Sequence, residues 1–246
     1  MIPIRDRNPS SSVPWVVYSL IAINAVAFLY EATLPHGELE LLVARFGLVP
    51  HNVTAALRGD GGLLQGVLIP GFTSLFLHGG WLHLIGNMWF LHIFGDNVED
   101  RLRHVPFLAF YLACGLAASL LHYAINPQSP MPTIGASGAI AGVLGAYIVS
   151  WPGARIVTLL PLFYLITFVE LPAFLVLGMW FIIQFFGGVG SIGAQLAGGG
   201  VAYWAHIGGF IAGAALMKLL STRRPSWTRR REPPPRQPPL PPRYWR

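Results

Sequence analysis

The sequence predicts an all-α membrane protein: a bundle of six transmembrane helices with a long interfacial first loop. Three observations lead there. The chain is 54% hydrophobic and 11% charged, against about 25% charged for an ordinary soluble domain. Its mean hydropathy is +0.55, and apolar stretches of spanning length recur along it. Positive charge then falls almost entirely on one side of the topology those stretches define.

The first span is Val13 to about Leu34, preceded by Arg5, Asp6 and Arg7. Its length of about 20 residues is that of a retained membrane helix rather than a signal-peptide core. The loop from Pro35 to Gly79 contains the apolar runs LELLVARFGLV and LLQGVLI, which suit the membrane interface. The second span runs from about Gly80 to Phe94, the third from Val105 to about Ile125, and the fourth from Ala136 to about Trp151. Ile156 to Phe186 holds one charge, Glu170; the stretch is longer than the ~20 residues of one span and shorter than the ~40 of two. Ile156 to Glu170 is therefore expected at the membrane surface. The fifth span is expected from about Leu171 to Phe186, with Pro172 in its first turn, and the sixth from Val201 to about Leu220.

Residues 221–246 contain eight prolines in 26 residues, a composition that cannot bury a core. The expected organisation is thus a membrane domain over 1–220 and a disordered, basic, polyproline-like tail over 221–246. PPLPPR within the tail has the form of a ligand for Pro-recognition modules. Of the sixteen Lys and Arg, nine lie from Lys218 onward. With a cytoplasmic N-terminus, fourteen of the sixteen fall inside and only Arg45 and Arg58 fall outside. Both termini are then cytoplasmic in a multi-pass protein of the cell membrane. The net charge of +6 reflects this topology and contact of the tail with anionic lipid, rather than nucleic-acid binding. The single cysteine, Cys114, excludes an intrachain disulfide and a multi-cysteine metal site, and reads as a small buried apolar residue.

Polar side chains inside a membrane are costly and therefore point to function. His83 precedes Asp96 by 13 residues, Ser137 precedes Trp151 by 14, and His206 precedes Lys218 by 12. At 1.5 Å per residue these positions lie roughly 20, 21 and 18 Å from the cytoplasmic end of their helices, so the three share one depth. His83 and Asn87, four apart, stack on one helix face. His206, Gly209 and Gly213 share a face of the sixth span, and Gly138 and Gly142 are spaced alike on the fourth. Two such small-residue faces can pack backbone to backbone. That packing brings Ser137 and His206 within hydrogen-bond reach, as nucleophile and general base. The fourth span is too short for the whole hydrocarbon core, so its N-terminus lies below the outer surface, where its free N–H groups favour an oxyanion. His92 points nearly opposite His83, and there is no HExxH pattern, so the histidines argue against a metal site. No cofactor is implied.

SLFLHGGWLHLIGNMWFL (74–91), GASGA (135–139) and AHIGG (205–209) together resemble the rhomboid family of intramembrane serine proteases, and FGDNVEDRLRH (94–104) resembles its bacterial type. The resemblance covers roughly residues 70 to 215. It implies Ser137 as nucleophile and His206 as general base, a dyad without a third acid. It further implies His83, Asn87 and the Ser137 backbone N–H as oxyanion-hole donors, and His78 as a structural or cavity-lining residue. The fifth span corresponds to the helix thought to act as a lateral gate for transmembrane protein substrates. Two other classes compete: a catalytically silent rhomboid-like binding protein, which normally lacks the serine or histidine, and a channel or transporter, whose polar residues would line a path across the whole membrane.

Overall fold

The computed structural model describes residues 1–162, 165–191 and 201–220; the tail over 221–246 lies outside the described residues. A short strand, β1 (Ile2–Asp6), leads into α1 (Trp15–Glu31). The segment expected as a first loop folds into α2 (His36–Phe46), α3 (Pro50–Arg58), a π turn over Leu64–Leu68, α4 (Ile69–Thr73) and a 3-10 turn over Ser74–Phe76. Then come α5 (Trp81–Leu102), α6 (His104–Ile125), α7 (Ser137–Ser150), the strands β2 (Arg155–Leu162) and β3 (Leu165–Pro172), α8 (Ala173–Ser191) and α9 (Tyr203–Leu220).

Three of these helices, α6, α8 and α9, are long and apolar enough to cross a bilayer. A fourth span is added if the bent pair Leu64–Phe76 and Trp81–Leu102, meeting at 82°, is counted as one. α1 and α7 are also apolar but shorter, at 17 and 14 residues. The outward faces carry large apolar side chains: Val105, Leu120, Ile183, Phe186, Ile211 and Leu219 are all exposed. The core is built around α7, with Phe94, Phe107, Tyr111, Cys114 and Tyr147 fully buried.

The glycines of α7 and α9 explain how closely these two helices meet. A methyl group added at Gly209 would fall on the carbonyl oxygen of Gly138, and one at Gly213 on that of Gly142. Gly145 faces the Phe210 carbonyl in the same way. On its other side, Gly142 abuts Cys114 of α6, and Gly138 abuts Ala118. α7 is thus wedged between two helices, backbone to backbone against α9 and against the small side chains of Cys114 and Ala118 on α6.

Three expectations need correction. The protein is not all-α: Ile156 to Glu170 belongs to an antiparallel hairpin, β2–β3, whose β2 also pairs with β1 in the order β1-β2-β3. Ile156, Val157 and Thr158 in β2 and Ile166, Thr167, Phe168 and Val169 in β3 are residues that favour a pleated surface. The N-terminal segment supplies the further edge that makes a sheet rather than a bare hairpin. Pro172 does not open the fifth helix but ends β3, opposite Arg155. The second helix likewise does not stop at Phe94. Its polar end continues to Leu102 because those side chains find partners. Glu99, fully buried, accepts the backbone N–H groups of Val16 and Val17 at 3.0 and 2.8 Å, and so caps α1. Asp100 accepts the hydroxyls of Ser11 and Ser12, and Asn97 bonds Asn8. Trp89 Nε1 donates to the Pro3 carbonyl.

Asp6 closes this end of the molecule, accepting the Tyr147 hydroxyl at 2.6 Å. Burial pushes its carboxyl up from the ordinary 3.8 to about 7, against the lowering effect of the Tyr147 bond. Below 3.8 the group is protonated whether the chain is folded or unfolded. Between that value and about 7 only the unfolded chain releases the proton, so folding stability falls across this window and levels off above it. In detergent, the melting temperature is expected to drop as pH rises from about 4 to 7, and Asp6→Asn should flatten that drop. For the helix contact, Gly209→Val or Gly213→Val should cost at least the ~1–3 kcal/mol typical of overpacking, because backbone stands in the way. Gly178→Ala, with open space around it, should leave the melting temperature unchanged or raise it slightly.

Candidate active site

Ser137 is the first residue of α7, with Ala136 at the N-cap. The strand of loop leading to it is tied down by the region before α5. Leu48 and Thr133 exchange two backbone hydrogen bonds, the His51 N–H donates to Ser129, and the Gly135 N–H donates to the Ser74 carbonyl at 2.8 Å. Thr54 Oγ1 donates to the Pro127 carbonyl. The residues between α1 and α5 therefore anchor the serine's approach.

The close approach of α7 and α9 sets His206 beside that serine: His206 Nε2 and Ser137 Oγ are 2.8 Å apart. The other ring nitrogen, Nδ1, lies 2.7 Å from Gln184 Oε1 on α8. A carbonyl oxygen only accepts, so Nδ1 carries the proton and Nε2 is left to accept from the serine hydroxyl. The Trp180 ring, also on α8, packs tilted against the imidazole with centroids 5.8 Å apart. Gln184 was not singled out from the sequence; the signal available was a lone amide within FLVLGMWFIIQFF.

α5 brings a second pair. Gly135 has φ +120, and a Cβ there would strike the Cε1 and Nε2 atoms of His83, with Asn87 Nδ2 just beyond. The left-handed backbone and the missing side chain at Gly135 are what let His83 reach the start of α7. Asn87 is buried, its Nδ2 3.0 Å from His78 Nε2. An amide NH2 donates, so His78 Nε2 accepts one of its two hydrogens and leaves the other free. The His78 ring is itself buried, packs edge-on to His83 at 5.1 Å, and has its backbone N–H held by the Glu31 carboxylate. His78 thus stands behind Asn87 and orients its amide.

The site therefore gathers a hydroxyl, an imidazole with a spare acceptor, and several donors. The first N–H groups of α7 have no partner within the helix, and its positive dipole end lies at Ser137. Such a site can deprotonate a hydroxyl and stabilise negative charge next to it. Among the described residues no group of three His, Cys, Asp or Glu could hold a metal ion.

The rhomboid domain family matches residues 65–223, which is most of the chain and includes His78, His83, Asn87, Ser137, Gln184 and His206. The chain belongs to the rhomboid family. It is 30% identical over 160 residues to the rhomboid-like protein 11, chloroplastic, of Arabidopsis thaliana, covering 61% of this chain and 51% of that protein. Over 136 residues it is 35% identical to the rhomboid protease GluP of Bacillus subtilis, covering 55% of this chain and 24% of that one. It is also 27% identical over 133 residues to the putative rhomboid protease YdcA of the same organism, covering 54% and 61%. The chain spans about half the length of the first curated relatives it matches. As a rhomboid it is an integral membrane protein.

Gly135→Ala is expected to displace the His83 ring while leaving the α7–α9 contact intact. Ring-proton shifts of His83 should move, and stability should fall by about 1–3 kcal/mol because a β-carbon is placed at positive φ; an unmoved His83 would contradict the packing described.

Proposed function

We propose that this rhomboid is a serine endopeptidase that cleaves transmembrane segments of other membrane proteins. The observation that carries the reading is the 2.8 Å contact between Ser137 Oγ and His206 Nε2 at the start of a helix. His206 takes the hydroxyl proton as Oγ attacks the scissile carbonyl carbon. The Ser137 backbone N–H, Asn87 Nδ2 and His83 donate to the oxyanion that forms. His206 then gives its proton to the departing amine, leaving an acyl group on Ser137. A water, deprotonated by His206, then attacks the acyl carbon; the C–Oγ bond breaks, the imidazolium returns the proton to Ser137 Oγ, and the carboxylic product leaves.

The topology that suits this reading has six spans, α1, α5, α6, α7, α8 and α9, within a membrane domain over 1–220. The Lys/Arg distribution supports cytoplasmic termini and a cytoplasmic tail over 221–246. α7, with 14 residues, is about 21 Å long, so Ser137 lies below the outer face and water reaches it from outside. Substrate helices rich in Gly or Pro are favoured, because a regular helix keeps its carbonyls in internal hydrogen bonds. The basic tail is suited to anionic lipid and to a Pro-recognition module.

The test is cleavage of a model single-span substrate by purified protein. Ser137→Ala or His206→Ala should each lower kcat by about 10³-fold or more, and Asn87→Ala by about 10²–10³-fold. A fluorophosphonate should label Ser137 in the wild type and nothing in Ser137→Ala. Undiminished cleavage by either dyad variant would sink the proposal.

A further inference from the structure

α8 is apolar from Ala173 to Val189 but for one amide. Ile183, Phe185 and Phe186 around it are 57%, 44% and 68% exposed, whereas Gln184 is 8% exposed and turned inward. Its Oε1 meets His206 Nδ1 at 2.7 Å. Burying an amide in a membrane helix is costly unless its polar atoms are used. With Oε1 facing Nδ1, the contact favours the tautomer protonated at Nδ1, whose Nε2 is free to accept.

We infer that Gln184 is the positioning residue of the site: it fixes the tautomer and ring orientation of His206 and makes both depend on the seating of α8 against α9. That seating is aromatic and close. Phe181 and Phe210 rings are 4.7 Å apart, Trp180 packs on both Phe210 and His206, and Gly188 lies against Ile207 and Trp204. A shift of α8 by about 1 Å takes the amide–imidazole bond beyond hydrogen-bonding range. A helix arriving beside α8 therefore acts on His206 through Gln184 before it reaches Ser137. The kinetic part of this inference rests on the proposed peptidase reading; the tautomer part does not.

The test has two arms. In the first, protein carrying Ser137→Ala and 15N-labelled histidine is compared with and without Gln184→Leu. The His206 signals should show an Nδ1-protonated ring with Gln184 present and a mixture of tautomers without it. In the second, cleavage of the model substrate is measured. Gln184→Leu should lower kcat by about tenfold with KM nearly unchanged, a part of the ~10²–10⁴ a placed general base contributes. Gln184→Glu keeps the acceptor, so it should retain cleavage while the acid limb of kcat moves to higher pH, because a carboxylate stabilises the imidazolium. The other titratable groups facing His206, His83 on α5 and His122 on α6, are unchanged in both variants. An unaltered tautomer together with unaltered kcat in Gln184→Leu would overturn the inference. If the wild type neither cleaves nor reacts with fluorophosphonate but the tautomer still responds, the positioning role stands and the peptidase reading falls.

Discussion

The structure depends on one contact, the meeting of α7 and α9 without side chains between them. Carbonyl oxygens of Gly138 and Gly142 occupy the space where Gly209 and Gly213 would carry a Cβ. Lipid tails are as apolar as leucine, so helices in a membrane gain little from hydrophobic burial against one another and must gain from close packing. Here the packing also sets a distance. Ser137 adjoins Gly138 and His206 lies one turn before Gly209, so the separation of their Cα atoms is fixed by two backbones, and the side-chain rotamers close the remaining distance. The wedge of α7 against Cys114 and Ala118 on its far side holds that separation.

Around this axis the two ends of the bundle behave differently. At the end away from Ser137, polar groups from distant segments are paired: Glu99 with α1, Asp100 with Ser11 and Ser12, Asn97 with Asn8, Asp6 with Tyr147, Arg7 with Glu170. Arg7–Glu170 is exposed and contributes little, but the buried members are hydrogen-bonded in full view of apolar core and fix α1, α5, α7 and the sheet together. At the Ser137 end, groups are oriented but keep valence in reserve. His78 takes one hydrogen of the Asn87 amide and leaves the second, and the first N–H groups of α7 are uncommitted. One end is a joint and the other keeps donors and an acceptor unused.

Much of this was legible in the sequence where the signal was local. α6 and α9 follow apolar runs expected from Val105 and Val201, and they begin within two residues of those positions. The meeting of Ser137 with His206 could be read from shared depth and matching glycine spacing, both of which are properties of single helices. What escaped depends on distant partners. Glu99 and Asp100 look like the end of a helix until Ser11, Ser12 and the first turn of α1 come to meet them. The hairpin looked like surface-bound apolar chain because its β1 neighbour lies over 150 residues away. Gln184 offered no face or motif, only a single amide, and the His78–Asn87 pair crosses from loop to helix, where helical periodicity says nothing.

Glu99 has one more consequence, which concerns time rather than space. The carboxylate that satisfies the first turn of α1 is 82 residues downstream of Val17. Chains leave the ribosome amino end first, so α1 is made and must wait, its leading N–H groups uncapped, until α5 has almost been completed. Synthesis up to Glu99 therefore marks the earliest moment at which the amino-terminal third of this rhomboid can lock, and a nascent chain arrested before that residue should carry a first helix with a frayed leading turn.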